Sequence, residues 1–136
     1  MVTPDRKSVK CVVVTPEQTV LDVDVDSVAL PVFDGALGVL PGRAPLVARL
    51  GPGELRLTKR DGSSERYFVD GGFAQVRRNV VTVLTPRAQE SSSLDRAALD
   101  RQLADVNAQR PTTDADFDEK ARQLLRVRAQ RRLAGR

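Results

Sequence analysis

The sequence predicts an all-β domain, a sandwich or a barrel, followed by a two-helix hairpin. Three observations carry this reading. Over residues 9–85 apolar and polar positions alternate with period two, the mark of half-buried strands. Beyond residue 85 the apolar positions recur at helical spacing instead. Charge divides in the same place: basic against acidic residues stand at 12 to 11 over positions 1–93 and at 10 to 7 over 94–136, so most of the net +4 lies in the tail.

After a polar lead-in, MVTPDRKS, the apolar run Cys11 to Val14 opens the first strand. In the next stretch Val23 and Val25 face one way, and Asp22, Asp24 and Asp26 the other. After Asp26 the parity flips, because Val28 and Leu30 share parity with the aspartates. A bulge near Ser27 would re-aim them inward. Further strands are expected at 54–58, 66–69, 73–76 and 80–84. Asp61-Gly62 reads as a hairpin turn and Arg77-Arg78-Asn79 as a short reversal. Gly71-Gly72 fits a bulge or a close backbone approach. Tyr67, Phe68 and Phe73 are expected in the core. The stretch 34–57 reads as a rigid, apolar, glycine-punctuated turn. In the tail, Ser91-Ser92-Ser93 would cap a helix carrying Leu94, Ala98, Leu99, Leu103 and Val106. Residues 109–113, with Pro111, break it. Asp114 or Asp116 would cap a second helix whose stripe is Phe117, Ala121, Leu124, Leu125, Ala129 and Leu133.

Composition excludes whole classes of chemistry. With no His and a single Cys, His-based triads and Cys/His zinc clusters are impossible, and no metal site is expected. Cys11 is expected to pack as a small hydrophobe, and a reducing compartment suits it. The apolar runs are too short to span a bilayer and no signal peptide is evident, so membrane attachment is expected only through other proteins. The glycines at 35, 38, 42, 51 and 53 lack the Gly-Lys-Ser/Thr ending of a phosphate loop, and Gly51-Pro52-Gly53 leads into a strand rather than a helix. Asp22, Asp24 and Asp26 alternate along one strand face, which is solvent patterning rather than an active site. These residues alone favour a non-catalytic binding or regulatory module. A β domain with a basic helical arm that binds nucleic acid is the alternative, and it would bind with a steep salt dependence.

One ordered set of motifs goes further. Leu30-Pro31, then Asp34-Gly35-Ala36-Leu37-Gly38-Val39-Leu40-Pro41-Gly42-Arg43-Ala44-Pro45-Leu46-Val47, closely resembles the epsilon subunit of F-type ATP synthase. Val13-Val14-Thr15-Pro16-Glu17, Val25-Asp26-Ser27-Val28, Gly51-Pro52-Gly53-Glu54-Leu55-Arg56, Gly71-Gly72-Phe73-Ala74-Gln75-Val76 and Asn79-Val80-Val81-Thr82-Val83-Leu84 follow the family order. Three positions depart from it: Arg43 stands for the usual histidine, Val32 for a glycine, and Ala36 for a common acid.

The resemblance implies an antiparallel β-sandwich of about ten strands over residues 1–90, then an antiparallel two-helix hairpin over 91–136. It implies a central-stalk rotor subunit without chemistry of its own, at the cytoplasmic face of the cell membrane. Its partners would be the gamma subunit, the ring of c subunits and, through the helices, the alpha/beta catalytic head, with no nucleic acid. Val32, Phe33, Asp34, Gly35, Ala36 and Leu37 would meet the c ring. The hairpin would fold against the sandwich or extend along gamma, about 40 residues reaching roughly 60 Å as helix, and obstruct ATP hydrolysis. Its basic residues Lys120, Arg122, Arg126, Arg128, Arg131 and Arg132 would then face acidic loops of the beta subunits. Some members bind ATP between the helices. Here Asp95, Arg128 and Arg132 would be the nucleotide contacts, but Ala98 replaces the motif's Arg and Arg96 points away from that face. No cofactor is therefore expected.

Overall fold

The structure, a computed structural model, describes residues 8–134. Eight strands precede the helices: β1 (Val9–Val14), β2 (Thr19–Val25), β3 (Ser27–Val32), β4 (Gly35–Val39), β5 (Leu46–Thr58), β6 (Ser64–Arg77), β7 (Val80–Leu84) and β8 (Ala88–Glu90). They hydrogen-bond in the order β2-β1-β7-β6-β5-β3-β4, with β8 on β6. All pairings are antiparallel except β1 with β7. A two-layer sandwich results because β5 and β6, 13 and 14 residues long, each run through both layers. Counting the two halves of each separately turns eight strands into about ten.

The turning point lies at paired glycines. Leu50 opposes Gly72 and Pro52 opposes Asp70, so Gly51 and Gly71 fall outside the ladder. Gly72 has φ +100°, and a Cβ there would lie 2.0 Å from the Leu84 carbonyl oxygen. Only glycine permits that approach. On one side of the turn, β2, β1, β7, the end of β6 and the start of β5 form the first layer. On the other, β4, β3, the rest of β5, the start of β6 and β8 form the second.

Between the layers lies the main core. It includes Val9, Cys11, Val13, Val81, Val83, Leu50, Ala74 and Val76 from the first layer, and Val28, Leu30, Val39, Leu55, Leu57, Tyr67 and Val69 from the second. Burial pushes the Cys11 thiol up to about 12, so it stays neutral and packs as an apolar group.

The parity flip after Asp26 has a different cause from a bulge. The chain bends at Asp26, whose N–H donates to Thr58 O at 2.8 Å, and passes from β1 as neighbour to β5 as neighbour. Changing layers, rather than inserting a residue, re-aims Val28 and Leu30. The 34–57 stretch is also mostly strand, β4 and most of β5: Gly35 and Gly42 sit at turns and Gly51 at the layer crossing, while Gly38 pairs with Ala29 inside β4.

Two helices follow, α1 (Arg96–Asn107) and α2 (Asp114–Ala134). The serines form a 3-10 turn, Ser91–Ser93, and the N-cap of α1 is Asp95, whose carboxylate accepts from Ala97 N–H at 3.0 Å. A charged acceptor one residue before the helix displaces the serines from that role. Thr113, not Asp114 or Asp116, caps α2: its hydroxyl accepts from Asp116 N–H at 3.1 Å. The two aspartates instead stand in the first turn, where the helix dipole favours them. The helices run antiparallel. Lys120 Nζ donates to the carbonyls of Asn107 and Gln109, and Gln109 bonds Gln123, at one end. Arg131 pairs with Asp100 at the other.

Candidate interaction surfaces

Strand parity creates two outer faces, and the hairpin covers only one. In β6, Tyr67 and Val69 point into the sandwich, so Phe68 points out through the second layer. It is nonetheless fully buried, because Ala129 and Leu133 of α2 and Leu94 seal it in a separate small cluster. Around this seat the sheet face is charged. Arg126 lies 3.7 Å from Asp70, both largely shielded from solvent, and Gln130 donates to Gln89 at 2.8 Å. Glu54 lies 3.0 Å from Arg56 and 3.7 Å from Arg66, whose buried Nε makes no hydrogen bond and is compensated at ion-pair range only.

Helix α2 therefore buries Val127, Ala129, Gln130 and Leu133, while Phe117 and Leu125 of the expected stripe are exposed. The expected stripe assumed a single wholly apolar face. The observed seat accepts a glutamine and an arginine because the sheet beneath is polar.

The basic residues of α2 divide by use. Lys120 caps the end of α1, Arg122 pairs with Glu119 at 2.7 Å, Arg126 with Asp70 and Arg131 with Asp100. The Arg122 guanidinium, through its hydrogen bond, holds the Glu119 carboxyl below its ordinary range. Arg128 and Arg132 have no ion-pair partner among the described residues. They line a groove of about 580 Å³ between the helices with Arg96, Leu103, Leu125 and Arg131. Arg96 thus shares their groove rather than pointing away from it, because α2 crosses α1 on that flank. Asp95 stands apart, committed to the helix cap.

Val32 and Gly35 pair at the end of the β3–β4 hairpin, with Phe33 and Asp34 as its two-residue tip. Val32 and Leu37 pack on the main core, whereas Phe33 is 68% exposed. The Arg49 guanidinium sits 5.6 Å from the centre of the Phe33 ring, a cation–π contact that orients it. A groove of about 520 Å³ joins this hairpin to the last turns of α2, with Val32, Phe33, Gly35 and Ala36 on one wall and Ala129, Arg132 and Leu133 on another.

Among the described residues, the first layer's outer face carries no helix. Cross-strand register puts Arg49, Phe73, Leu84 and Val14 in one row, and Val47, Gln75, Thr82 and Val12 in the next. Val47, Phe73 and Leu84 are 72%, 55% and 54% exposed. Phe73 therefore lies outside the core where it was expected. Its parity with Gln75 and Arg77, opposite Ala74 and Val76, is the signal that marks it as outward. At one corner the side-chain carbonyl of Asn79 accepts from Gly42 N–H at 2.7 Å, tying the β4–β5 loop to the β6–β7 turn. Arg78 and Asn79 both have positive φ, 51° and 61°, as the two-residue turn requires.

The sandwich with its C-terminal hairpin is matched among known proteins. Residues 8–91 fit the family model described as ATP synthase, Delta/Epsilon chain, beta-sandwich domain. The ATP synthase epsilon chain of Rhodopirellula baltica is 50% identical over 125 residues, covering 92% of this chain and 97% of that protein. This chain belongs to the ATP synthase epsilon chain family. The epsilon chain of Bacillus subtilis is 40% identical over 112 residues, covering 79% of this chain and 84% of its own. The fold recurs in a chain of the Euglena gracilis mitochondrial ATP synthase, at TM-score 0.81 and 23% identity, covering 90% of this chain and 78% of that one. It recurs again in the central stalk/c-ring structure of the Tetrahymena thermophila mitochondrial ATP synthase, at TM-score 0.71 and 15% identity, covering 96% and 99%. As in the sequence reading, the epsilon-chain family has a β-sandwich followed by two helices. Among the described residues no helix is long and apolar enough to cross a membrane, and no cluster of His, Cys, Asp or Glu could hold a metal.

Proposed function

We propose that this chain is a non-catalytic rotor part of the ATP synthase central stalk, coupling ion flow through the c ring to ATP formation. Residues 1–90 form the anchoring domain and 91–136 the regulatory one. The apolar outer face around Val47, Phe73 and Leu84 binds gamma, since large apolar side chains exposed side by side on one sheet face mark an interaction surface. The hairpin tip from Val32 to Leu37 meets the c ring, presenting Phe33 held by Arg49. Attachment to the membrane is peripheral and runs through the complex, at its cytoplasmic face.

The hairpin acts as a brake on ATP hydrolysis when it leaves the sandwich and extends into the catalytic head. One observation carries this reading: α2 is held by a small cluster separate from the sandwich core, so it can leave without dismantling that core. Release from the sheet frees Arg126 from Asp70, and parting of the two helices frees Lys120 and Arg131 from α1; with Arg128, Arg132 and Arg122, which keeps Glu119 beside it, they then face carboxylates of the head. The test adds full-length chain, or a chain ending at Ser93, to catalytic head with gamma but without this subunit. Binding by both with slowed hydrolysis only for the full-length chain supports the brake. Equal hydrolysis rates would remove it, and failure of both to bind would remove the stalk role itself.

A further inference from the structure

We infer that the bare face is charge-polarised, so that gamma must meet it with carboxylates along one edge and cations along the other; this rests on reading that face as the gamma contact. The strand register sets three rows across this face. The first runs Arg49, Phe73, Leu84, Val14; the second Val47, Gln75, Thr82, Val12, Asp22; the third Arg77, Val80, Lys10, Asp24. Arg49 and Arg77 stand on the β5–β6 side, apolar side chains dominate the first two rows, and Asp22 and Asp24 stand on β2 at the far side, with Lys10 beside them on β1.

The cationic edge is extended by Arg78 in the β6–β7 turn and Arg43 on the loop that Asn79 tethers. Arg43 has only a 3.5 Å contact with the Gly38 carbonyl, and Arg43, Arg77 and Arg78 have no ion pair among the described residues. Arg77 and Arg78 also wall a depression of about 280 Å³ with Gln75, Val80 and Thr82, room for one partner side chain. Two guanidinium groups on its wall suit a carboxylate. On the far edge Asp22 is 3.5 Å from Lys10, and Asp24 has no ion pair among the described residues.

Arg77 on β6 and Asp24 on β2 lie three strand spacings apart, roughly 14 Å at about 4.8 Å each, well beyond the Debye length of about 8 Å at physiological salt. Each edge therefore acts on gamma independently, and together they fix which way round the partner docks. Rim charges of this kind act mainly on association rate and its salt dependence.

The test measures association and dissociation of the full chain with a gamma-containing head that lacks this subunit, at 150 and 500 mM salt. At low salt Arg43→Glu with Arg77→Glu should slow association about tenfold or more, and Asp24→Lys several-fold. The two changes together should multiply, and all differences should shrink at high salt. Arg77→Lys should associate like the parent. Association unchanged or faster in the double arginine variant at low salt overturns the inference. Phe73→Asp separates the two levels. If it abolishes binding while the charge variants associate normally, only the polarity falls. If it binds as well as the parent, the gamma reading of this face falls with it. Circular dichroism checks that each variant is folded.

Discussion

Leu133→Ala should release the hairpin without unfolding the sandwich. Leu133 is 4% exposed and, with Ala129 and Leu94, seals Phe68. Truncation to alanine removes three carbons at about 0.8 kcal/mol each, close to 2.4 kcal/mol before any cavity term. At 1.4 kcal/mol per tenfold, the docked-to-released ratio falls about 50-fold, so a hairpin docked ~100:1 becomes docked ~2:1. Spin labels on Ser63→Cys in the sandwich and Asp118→Cys in α2 read this directly as a distance distribution. Cys11 does not interfere, because it is fully buried and its thiol is held neutral. Phe117→Ala is the control: it removes a larger side chain from the same helix, but one that is 57% exposed and outside the seat. The expected result is a second, longer distance in Leu133→Ala alone. In the assembled head the same variant should inhibit hydrolysis more strongly. An unchanged distribution in Leu133→Ala, or an equal change in Phe117→Ala, would refute the reasoning.

Gly72→Ala should destabilise the sandwich by roughly 3 kcal/mol or more, since its methyl would meet the Leu84 carbonyl in a positive-φ backbone; the denaturation midpoint reports it. Asn79→Gly keeps the turn but loses the bond to Gly42, whereas Asn79→Asp keeps an acceptor. Faster amide exchange at Gly42 is therefore expected in the first variant and not in the second. Cys11 gives a pH signature. Its folded pKa, about 12, exceeds the ordinary 9.0, so above pH 9 the unfolded chain releases a proton that the folded chain keeps. Stability should then fall from pH 9 toward 12 by up to about 1.4 kcal/mol per unit. Cys11→Ala should lack that component when the two pH profiles are subtracted.

Much of this was legible in the sequence because periodicity reports which face a residue occupies. The glycine pair at 71–72 and the reversal at 77–79 fall where the patterns put them, whereas the sheet continues past residue 85 through β8, a strand of three residues too short to show a period. Position on a strand is not the same as position in a core, however. Phe73 is apolar, which suggests the core, but its parity puts it on the outer face with Leu84 and Val47. The helix seat was illegible for another reason. Asp70 with Arg126 and Gln89 with Gln130 are brought together only by the tertiary docking of α2, and their separations of 56 and 41 residues leave no local trace. The c-ring role expected of the tip from Val32 to Leu37, and the nucleotide role weighed for Asp95, Arg128 and Arg132, come from family motifs and not from residue chemistry. The inclusion of Arg96 in the inter-helical groove required the crossing of the helices.

The two attachments in this molecule differ in kind. Inside the sandwich, both layers contribute apolar side chains, and separating them would expose the whole core. Under α2 the sheet offers one large apolar side chain, Phe68, among Glu54, Arg56, Arg66 and Asp70. Charged groups can be hydrated again on release, so the main cost is exposing Phe68 and Leu133, about 3–6 kcal/mol at 1.5–3 kcal/mol for each side chain. A partner that prefers the released hairpin by about 5.5 kcal/mol reverses a 99:1 equilibrium. The hairpin seat lies within that range and the sandwich core does not. A polar seat with a single large apolar anchor is therefore left at far lower cost than the sandwich core.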